Sequence, residues 1–252
     1  MTRVGVIGAA GRMGREVAHA VLTDPDLELV ALVDPSHAGL TIAGLDVAAS
    51  LDALLDADTE VAVEFTRPNA APANIAWCIE QGLHVVTGTT GFDPDPAWAE
   101  QEAVGVLIAA NFAIGAVLMQ RFAQQAVRFL PDAEIIELHH HDKPDAPSGT
   151  AMATARRMAA ARGNVPAEQS EERVPGARGA DVDGIRVHSV RLPGLVAHQE
   201  VILGGQGQTL RIRHDSTDWT SFMPGVLMAV KAVARRPGLT VGLDALLGRD
   251  EG

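Results

Sequence analysis

Through the first 110 residues, short and nearly continuous apolar runs alternate with stretches whose apolar residues recur every three or four positions. Arg3–Gly8 reads as a strand running into a glycine turn, and Met13–Leu22 follows with helical spacing until Thr23-Asp24-Pro25 stops it. Leu27–Val33 is a second strand that ends at Asp34. Val61–Glu64, Leu83–Val86 and Val104–Ala109 are a third, fourth and fifth, with helical patterns between several of them, such as Ala70–Gln81. Strands that alternate with helices predict a doubly wound, parallel sheet of the Rossmann type. Runs that are apolar at almost every position fit a sheet covered on both faces.

After residue 110 the texture changes. A helix is expected over Ile114–Phe129, ended by Leu130-Pro131, then an alternating strand over Glu134–His140 and a helix over Thr150–Arg162. The Gly-, Pro- and Arg-rich stretch Pro166–Asp183 reads as a surface loop. Three strands close in sequence follow at Ile185–Leu192, Ala197–Leu203 and Gln208–His214, which predicts a mixed or antiparallel sheet in a second, α+β domain. The chain then returns to helix, with Pro224 in the first turn, an apolar face of Val226, Leu227, Val230, Val233 and Ala234, and a stop at Pro237-Gly238. The expected division is a first domain of residues 1–110 plus 217–252 and a second of residues 111–216.

Composition narrows the function classes. With 252 residues, 47% apolar and 21% charged, the chain is neither disordered, collagenous nor a coiled coil. The single cysteine, Cys78, excludes an internal disulfide framework, and its place in an apolar helix pattern with Ile75 and Ile79 marks it as structural. A net charge of −12 argues against nucleic acid and anionic membranes as partners, and the absence of tyrosine argues against a stacking platform. The apolar run Val104–Met119 is 16 residues long and is interrupted by Gly105, Asn111 and Gly115, so it reads as strand, loop and helix start rather than a membrane span. With no signal segment ahead of the first strand, a cytoplasmic protein is expected.

Gly8-Ala9-Ala10-Gly11-Arg12-Met13-Gly14 follows a strand and opens a helix, the context that a dinucleotide-binding turn requires. Glycines let the backbone approach a pyrophosphate, and the helix N-terminus offers free N–H groups and a positive dipole. The spacing is G-x-x-G-x-x-G, and tight packing alone is the competing reading. Asp34, at the end of the second strand, is placed to accept hydrogen bonds from an adenosine ribose; a strand-end turn residue is the alternative. Gly88-Thr89-Thr90 and Ala109-Ala110-Asn111-Phe112 follow the fourth and fifth strands, where a ligand of an open parallel sheet lies.

The densest chemistry lies in Glu137–Ala151. On a strand, His139 and His141 share one face and His140 takes the other. Ser148 is a candidate N-cap, so that Gly149 and Thr150 present free N–H groups to a carboxylate, while Lys143 adds a full positive charge. An anion-binding catalytic pocket, a metal site and a merely solvated loop are the three readings open at this point. The metal reading is weakened because adjacent residues cannot all turn to one ion and Lys143 would repel it.

The order and spacing of these motifs resemble one family, the dihydrodipicolinate reductases of bacterial lysine and diaminopimelate biosynthesis, in its actinobacterial branch. The family signature E-[IV]-x-E-x-H-x-x-x-K-x-D-x-P-S-G-T-A is met without departure from Glu134 to Ala151, and G-x-x-G-R-M-G, G-T-T-G-F and A-A-N-F stand at Gly8, Gly88 and Ala109. The resemblance implies hydride transfer from NADH or NADPH to a cyclic imine dicarboxylate, with no metal. It implies His139 and Lys143 as catalytic residues, and His140, Lys143, Gly149 and Thr150 as substrate-binding residues. Gly8, Ala9, Ala10, Gly11, Arg12, Met13, Asp34, Gly88, Thr89, Thr90, Ala109, Ala110, Asn111 and Phe112 would hold the cofactor, and the assembly would be a homotetramer. Members that prefer NADPH often carry a basic residue directly after the acid of the second strand. Here that residue is Pro35, with Arg12 and His37 the nearby candidates for a phosphate partner, so NADH is expected to serve at least as well as NADPH. A reductase of another small acid and a nucleotide-sensing module are the rival functions.

Overall fold

The computed structural model describes residues 1–163 and 171–248. Its contacts divide the chain into two units, Met1–Ala113 with the segment from Phe222 onward, and Ile114–Ser221.

The first unit is built on β1 (Thr2–Ile7), α1 (Arg12–Thr23), β2 (Leu27–Val33), β3 (Thr41–Ile42), β4 (Leu45–Ala48), α2 (Asp52–Asp56), β5 (Val61–Glu64), α3 (Ala71–Glu80), β6 (His84–Thr87) and β7 (Gly105–Ile108). In the second unit come α4 (Ile114–Ala126), β8 (Asp132–His139), α5 (Gly149–Ala161), β9 (Ala180–Val182), β10 (Ile185–Arg191), β11 (Ala197–Gly205) and β12 (Gln208–Ser216). The first unit is completed by α6 (Met223–Val233) and β13 (Gly238–Val241).

Eight strands form one sheet in the order β13-β7-β6-β5-β1-β2-β4-β3. All its pairs are parallel except β3 with β4, which closes one edge as a short antiparallel ladder. Every residue of β5 and β7 is buried, as expected for strands covered on both faces. Against the sheet α1 buries Gly14, Val17, Ala18 and Val21, the i, i+3, i+4, i+7 spacing of one helical face. Cys78 lies in this core beside Ile75, and burial, then the charge of Glu64, pushes its thiol up to about 12, so it stays an inert thiol.

The second sheet has the order β12-β11-β8-β10-β9. It is mixed: β8 runs parallel to β10 and antiparallel to β11, and both outer pairs are antiparallel. Ala151, Thr154, Ala155 and Met158 of α5 are buried, and with Ile135, Val187, Val201 and Leu203 of the strands they make this unit's core.

The structure corrects several expectations. β13 pairs with β7 where only a helix end was foreseen, and β3, β4 and α2 lie in a stretch assigned to no element. The fourth helix stops at Ala126, three residues before Phe129. The expected loop Pro166–Asp183 contains β9; its residues 166–170 lie outside the described residues. The apolar run Val104–Met119 folds as β7 and the start of α4, and no helix among the described residues is long and apolar enough to cross a membrane.

Candidate active site

Because β1, β2, β5, β6 and β7 are parallel neighbours, the loops after them emerge at one edge of the sheet. That edge brings together Gly8–Met13, Asp34, Gly88–Thr90 and Ala109–Phe112. The N–H groups of Gly8 and Ala9 both donate to the Val33 carbonyl, at 2.8 and 3.2 Å, which ties the glycine turn to the end of β2. Gly8 adopts φ +79°, and a Cβ there would meet the Phe65 carbonyl oxygen at 2.4 Å. A Cβ on Gly14 would fall 2.1 Å from the Gly8 carbonyl oxygen, so α1 begins closer to the turn than any side chain permits. No side chain caps the N-terminus of α1. A close backbone approach below an uncapped helix start is a cradle that fits a pyrophosphate.

Asp34 serves the fold as well as any ligand. Its Oδ1 accepts from the Ser36 N–H at 3.1 Å and lies 3.1 Å from His37 Nδ1; its Oδ2 accepts from the Ala10 N–H at 3.3 Å. The turn-residue reading therefore describes Oδ1, while Oδ2 points to the glycine turn. Ala9, Thr89, Ala109 and Phe112 are buried, so they shape the edge from behind; Gly11, Arg12, Thr90 and Ala110 are exposed on it. Asn111 Oδ1 accepts from the Ala113 N–H at 2.8 Å, turning the chain out of the edge.

In the second unit the histidine segment is organised by residues to which the sequence assigned no role. Glu137 and His139 share the inner face of β8, two residues apart. His139 Nδ1 lies 2.5 Å from Glu137 Oε2. Arg191, brought opposite His139 by the parallel register of β10 on β8, grips Glu137 with both terminal nitrogens, Nη1 to Oε2 at 2.9 Å and Nη2 to Oε1 at 2.8 Å. Its Nη2 also donates to the Asp145 carbonyl at 2.6 Å, anchoring the loop that leads to α5. Glu137 is fully buried. Burial opposes its ionisation, yet the hydrogen bonds from His139, Arg191 and Ser189 outweigh it and hold the carboxyl at about 2.

The strand ends at His139, so the expected alternation does not extend over all three histidines. His140 is half-buried just beyond the strand, and His141 is exposed, 3.1 Å from Asp142. Among the described residues no group of three or more His, Cys, Asp or Glu is arranged to hold a metal ion. Lys143 Nζ donates to Asp145 Oδ1 at 2.6 Å, and this ammonium keeps the Asp145 carboxyl below its ordinary range. Ser148 caps α5, its hydroxyl accepting from the Ala151 N–H at 3.2 Å, and its own N–H reaches Glu137 Oε1 at 3.3 Å. Gly149 is exposed at this helix start with nothing near its Cβ position, and Thr150 follows it. His139, Glu137, Arg191, Lys143 and the start of α5 are thus one hydrogen-bonded assembly. Glu137 lies inside the matched signature and Arg191 lies 54 residues away, so only the alternating pattern of β8 hinted at their partnership.

Comparisons with known proteins agree over the whole length. Residues 2–112 match the family model described as dihydrodipicolinate reductase, N-terminus, and residues 115–247 the one described as dihydrodipicolinate reductase, C-terminus. A protein of Nocardia farcinica named 4-hydroxy-tetrahydrodipicolinate reductase is 53% identical over 97% of this chain and 98% of its own. One of the same name from Corynebacterium efficiens is 50% identical over the same shares. The solved dipicolinate-bound dihydrodipicolinate reductase from Paenisporosarcina sp. TG-14 superposes with a TM-score of 0.86 at 38% identity, covering 97% of this chain and 99% of that one. Two matched halves and a shared fold, with the acid, histidine and lysine of the signature in place, lead to one conclusion: the chain belongs to the dihydrodipicolinate reductase family.

Proposed function

We propose that this chain is a nicotinamide-dependent reductase that transfers hydride to 4-hydroxy-tetrahydrodipicolinate, a cyclic dicarboxylate, in lysine and diaminopimelate biosynthesis. The observation that supports the reading is the Glu137–His139–Arg191 assembly, hydrogen-bonded to Ser148 at the capped start of α5: His139 suits a proton donor, and the helix start suits a carboxylate.

A bound nicotinamide dinucleotide supplies the hydride. The chain's own residues do the rest. The Gly149 and Thr150 N–H groups and the Thr150 hydroxyl bind a substrate carboxylate at the positive end of α5, with His140 beside them. Lys143 shares its charge between Asp145 and the substrate and stabilises negative charge that builds on the ring. His139 has Nδ1–H committed to Glu137, which leaves Nε2 as the nitrogen that meets the substrate; the protonated ring gives up its Nε2 proton there and keeps the one on Nδ1. Glu137 stays ionised at neutral pH and fixes the orientation of the ring by holding its Nδ1–H. A donor of this kind contributes about 10²–10⁴-fold to rate.

On the first unit, Gly8, Ala9, Ala10, Gly11, Arg12 and Met13 cradle the pyrophosphate, and Asp34 accepts from the adenosine ribose. Gly88, Thr89, Thr90, Ala109, Ala110, Asn111 and Phe112 border the nicotinamide. With Pro35 after Asp34, NADH serves at least as well as NADPH; a kcat/KM ratio strongly favouring NADPH refutes this. A homotetramer formed through the five-stranded sheet is expected, supported by the only partly covered Ile136, Leu138 and Ile202 on one face of β8 and β11. Light-scattering mass tests it.

The deciding experiment follows nicotinamide absorbance while substrate is made in situ by enzymic condensation of pyruvate with aspartate semialdehyde. Oxidation that requires the complete mixture supports the proposal. No oxidation by a protein that still binds the nucleotide overturns it, in favour of another reductase or a nucleotide sensor.

A further inference from the structure

Glu64 is the last residue of β5 and is fully buried. A buried carboxylate is costly unless bonded, and one met by no cation depends on its hydrogen bonds alone. Among the described residues, the donors to Glu64 are neutral. Oε1 accepts from the Thr66 N–H at 3.0 Å, from the Thr66 hydroxyl, and from Asn74 Nδ2 at 3.5 Å; Oε2 accepts from the Thr87 hydroxyl at 2.7 Å. The network then runs outward. Thr87 Oγ1 accepts from the Thr89 N–H at 3.1 Å, and Thr89 Oγ1 accepts from the Thr66 N–H at 3.1 Å. Thus one carboxylate cross-links the loops that follow β5 and β6.

The next residue reaches further. The Phe65 carbonyl oxygen lies 2.4 Å from where a Gly8 Cβ would stand, and its ring 2.2 Å from where a Gly88 Cβ would stand. The same ring packs on Phe112 with centroids 5.9 Å apart. The end of β5 therefore touches the glycine turn, the Gly88–Thr90 loop and the Ala109–Phe112 loop. The sheet does not need this carboxylate: β5 is already paired on both sides, by β1 and β6, and an apolar residue would complete the core. Its donors from Thr66 and Thr87 instead shape the ligand edge.

Strand order divides that edge. The glycine turn and Asp34 follow β1 and β2, while Thr66, Gly88–Thr90 and Ala109–Phe112 follow β5, β6 and β7 on the other side of β1. A dinucleotide lying along the edge puts its two halves on opposite sides of β1. We infer that Glu64 is a positioning residue for the nicotinamide half of the cofactor site, acting through the Thr66 and Gly88–Thr89 loops. The inference rests on the dinucleotide reading above.

The test titrates the full chain and its Glu64→Gln variant with NADH and with ADP-ribose, which lacks only the nicotinamide. Glu64→Gln keeps the shape, removes the charge and puts an NH2 donor in place of one of the two oxygens that now accept from Thr66, Asn74 and Thr87. It is expected to weaken NADH roughly tenfold or more while ADP-ribose binding is unchanged, and to raise KM for NADH more than it lowers kcat. Equal weakening of both ligands means a merely structural role and overturns the inference, as does unchanged NADH binding. Thr87→Val, which removes the hydroxyl that joins Glu64 to Thr89, is expected to show the same selective loss should Glu64→Gln not fold; equal loss or none overturns the inference there too. A wild type that binds neither ligand overturns the dinucleotide reading and this inference with it, whereas a wild type that binds both isolates the question to Glu64.

Discussion

Replacing Glu137 with glutamine keeps the side-chain volume and removes the charge that Arg191 and His139 share. The carboxyl stands at about 2 against the usual 4.5, a difference that amounts to about 3 kcal/mol of stability at neutral pH. The sign follows from the direction. The folded chain holds this proton more weakly than the unfolded chain, so the contribution is complete above the unfolded value of 4.5 and is lost as pH falls toward 2. In Glu137→Gln the partly buried Arg191 guanidinium loses the charge of its partner and one of the two oxygens it grips, which brings the expected cost to about 3–5 kcal/mol. Urea unfolding of wild type and variant at neutral pH should differ by about that amount, and the gap should narrow as the pH is lowered toward about 3. Steady-state kinetics should show a second effect. With no carboxylate charge at Nδ1, His139 loses the partner that orients its ring and balances the charge of its protonated form, and kcat should fall by about 10²-fold or more with NADH affinity retained. A gap that does not change with pH, together with near-native kcat, would refute both the ionisation and the orienting role assigned to Glu137.

Other outcomes follow from the same geometry. His139→Gln should lower kcat far more than it changes NADH binding, and Lys143→Ala should lower both kcat and substrate affinity; near-normal kcat in both variants would remove the acid chemistry from this segment. Gly14→Ala pushes a methyl into the backbone of Gly8 and Ala9, at 2.1 and 2.8 Å, and should cost about 1–3 kcal/mol and the nucleotide site with it, read by Tm and NADH titration. Gly149→Ala meets nothing within 4 Å and should leave Tm almost unchanged while weakening substrate binding. His84 and His214 are held below their ordinary range by burial, and His84 Nδ1 accepts from the Gly105 N–H at 3.0 Å. The unfolded chain therefore takes up these protons first, so stability should fall as pH drops below about 6.5; a urea midpoint unchanged between neutral and mildly acidic pH would contradict this.

Local pattern was enough to read most of the long elements. Leu27–Val33 and Val61–Glu64 stand where the apolar runs placed them, because a strand buried on both faces must be apolar almost throughout. Motif spacing was likewise enough to mark the glycine turn and the histidine–lysine segment, since both depend on backbone or side-chain chemistry within a few consecutive residues. The short strands were not legible. β3, β4, β9 and β13 have two to four residues each, too few to show a period, and their ladders exist because a neighbouring strand offers an edge. The partners of Glu64 and Glu137 were hidden for the same reason. In sequence each is an acid at or near a strand end; only the pairing of β5 with β6 brings Thr87 to Glu64, and only the pairing of β8 with β10 brings Arg191 to Glu137. What the amino-acid sequence determines by itself is therefore the set of chemical groups and the elements that carry them. Which buried charge meets which donor is decided by sheet register, a long-range property that no local spacing encodes.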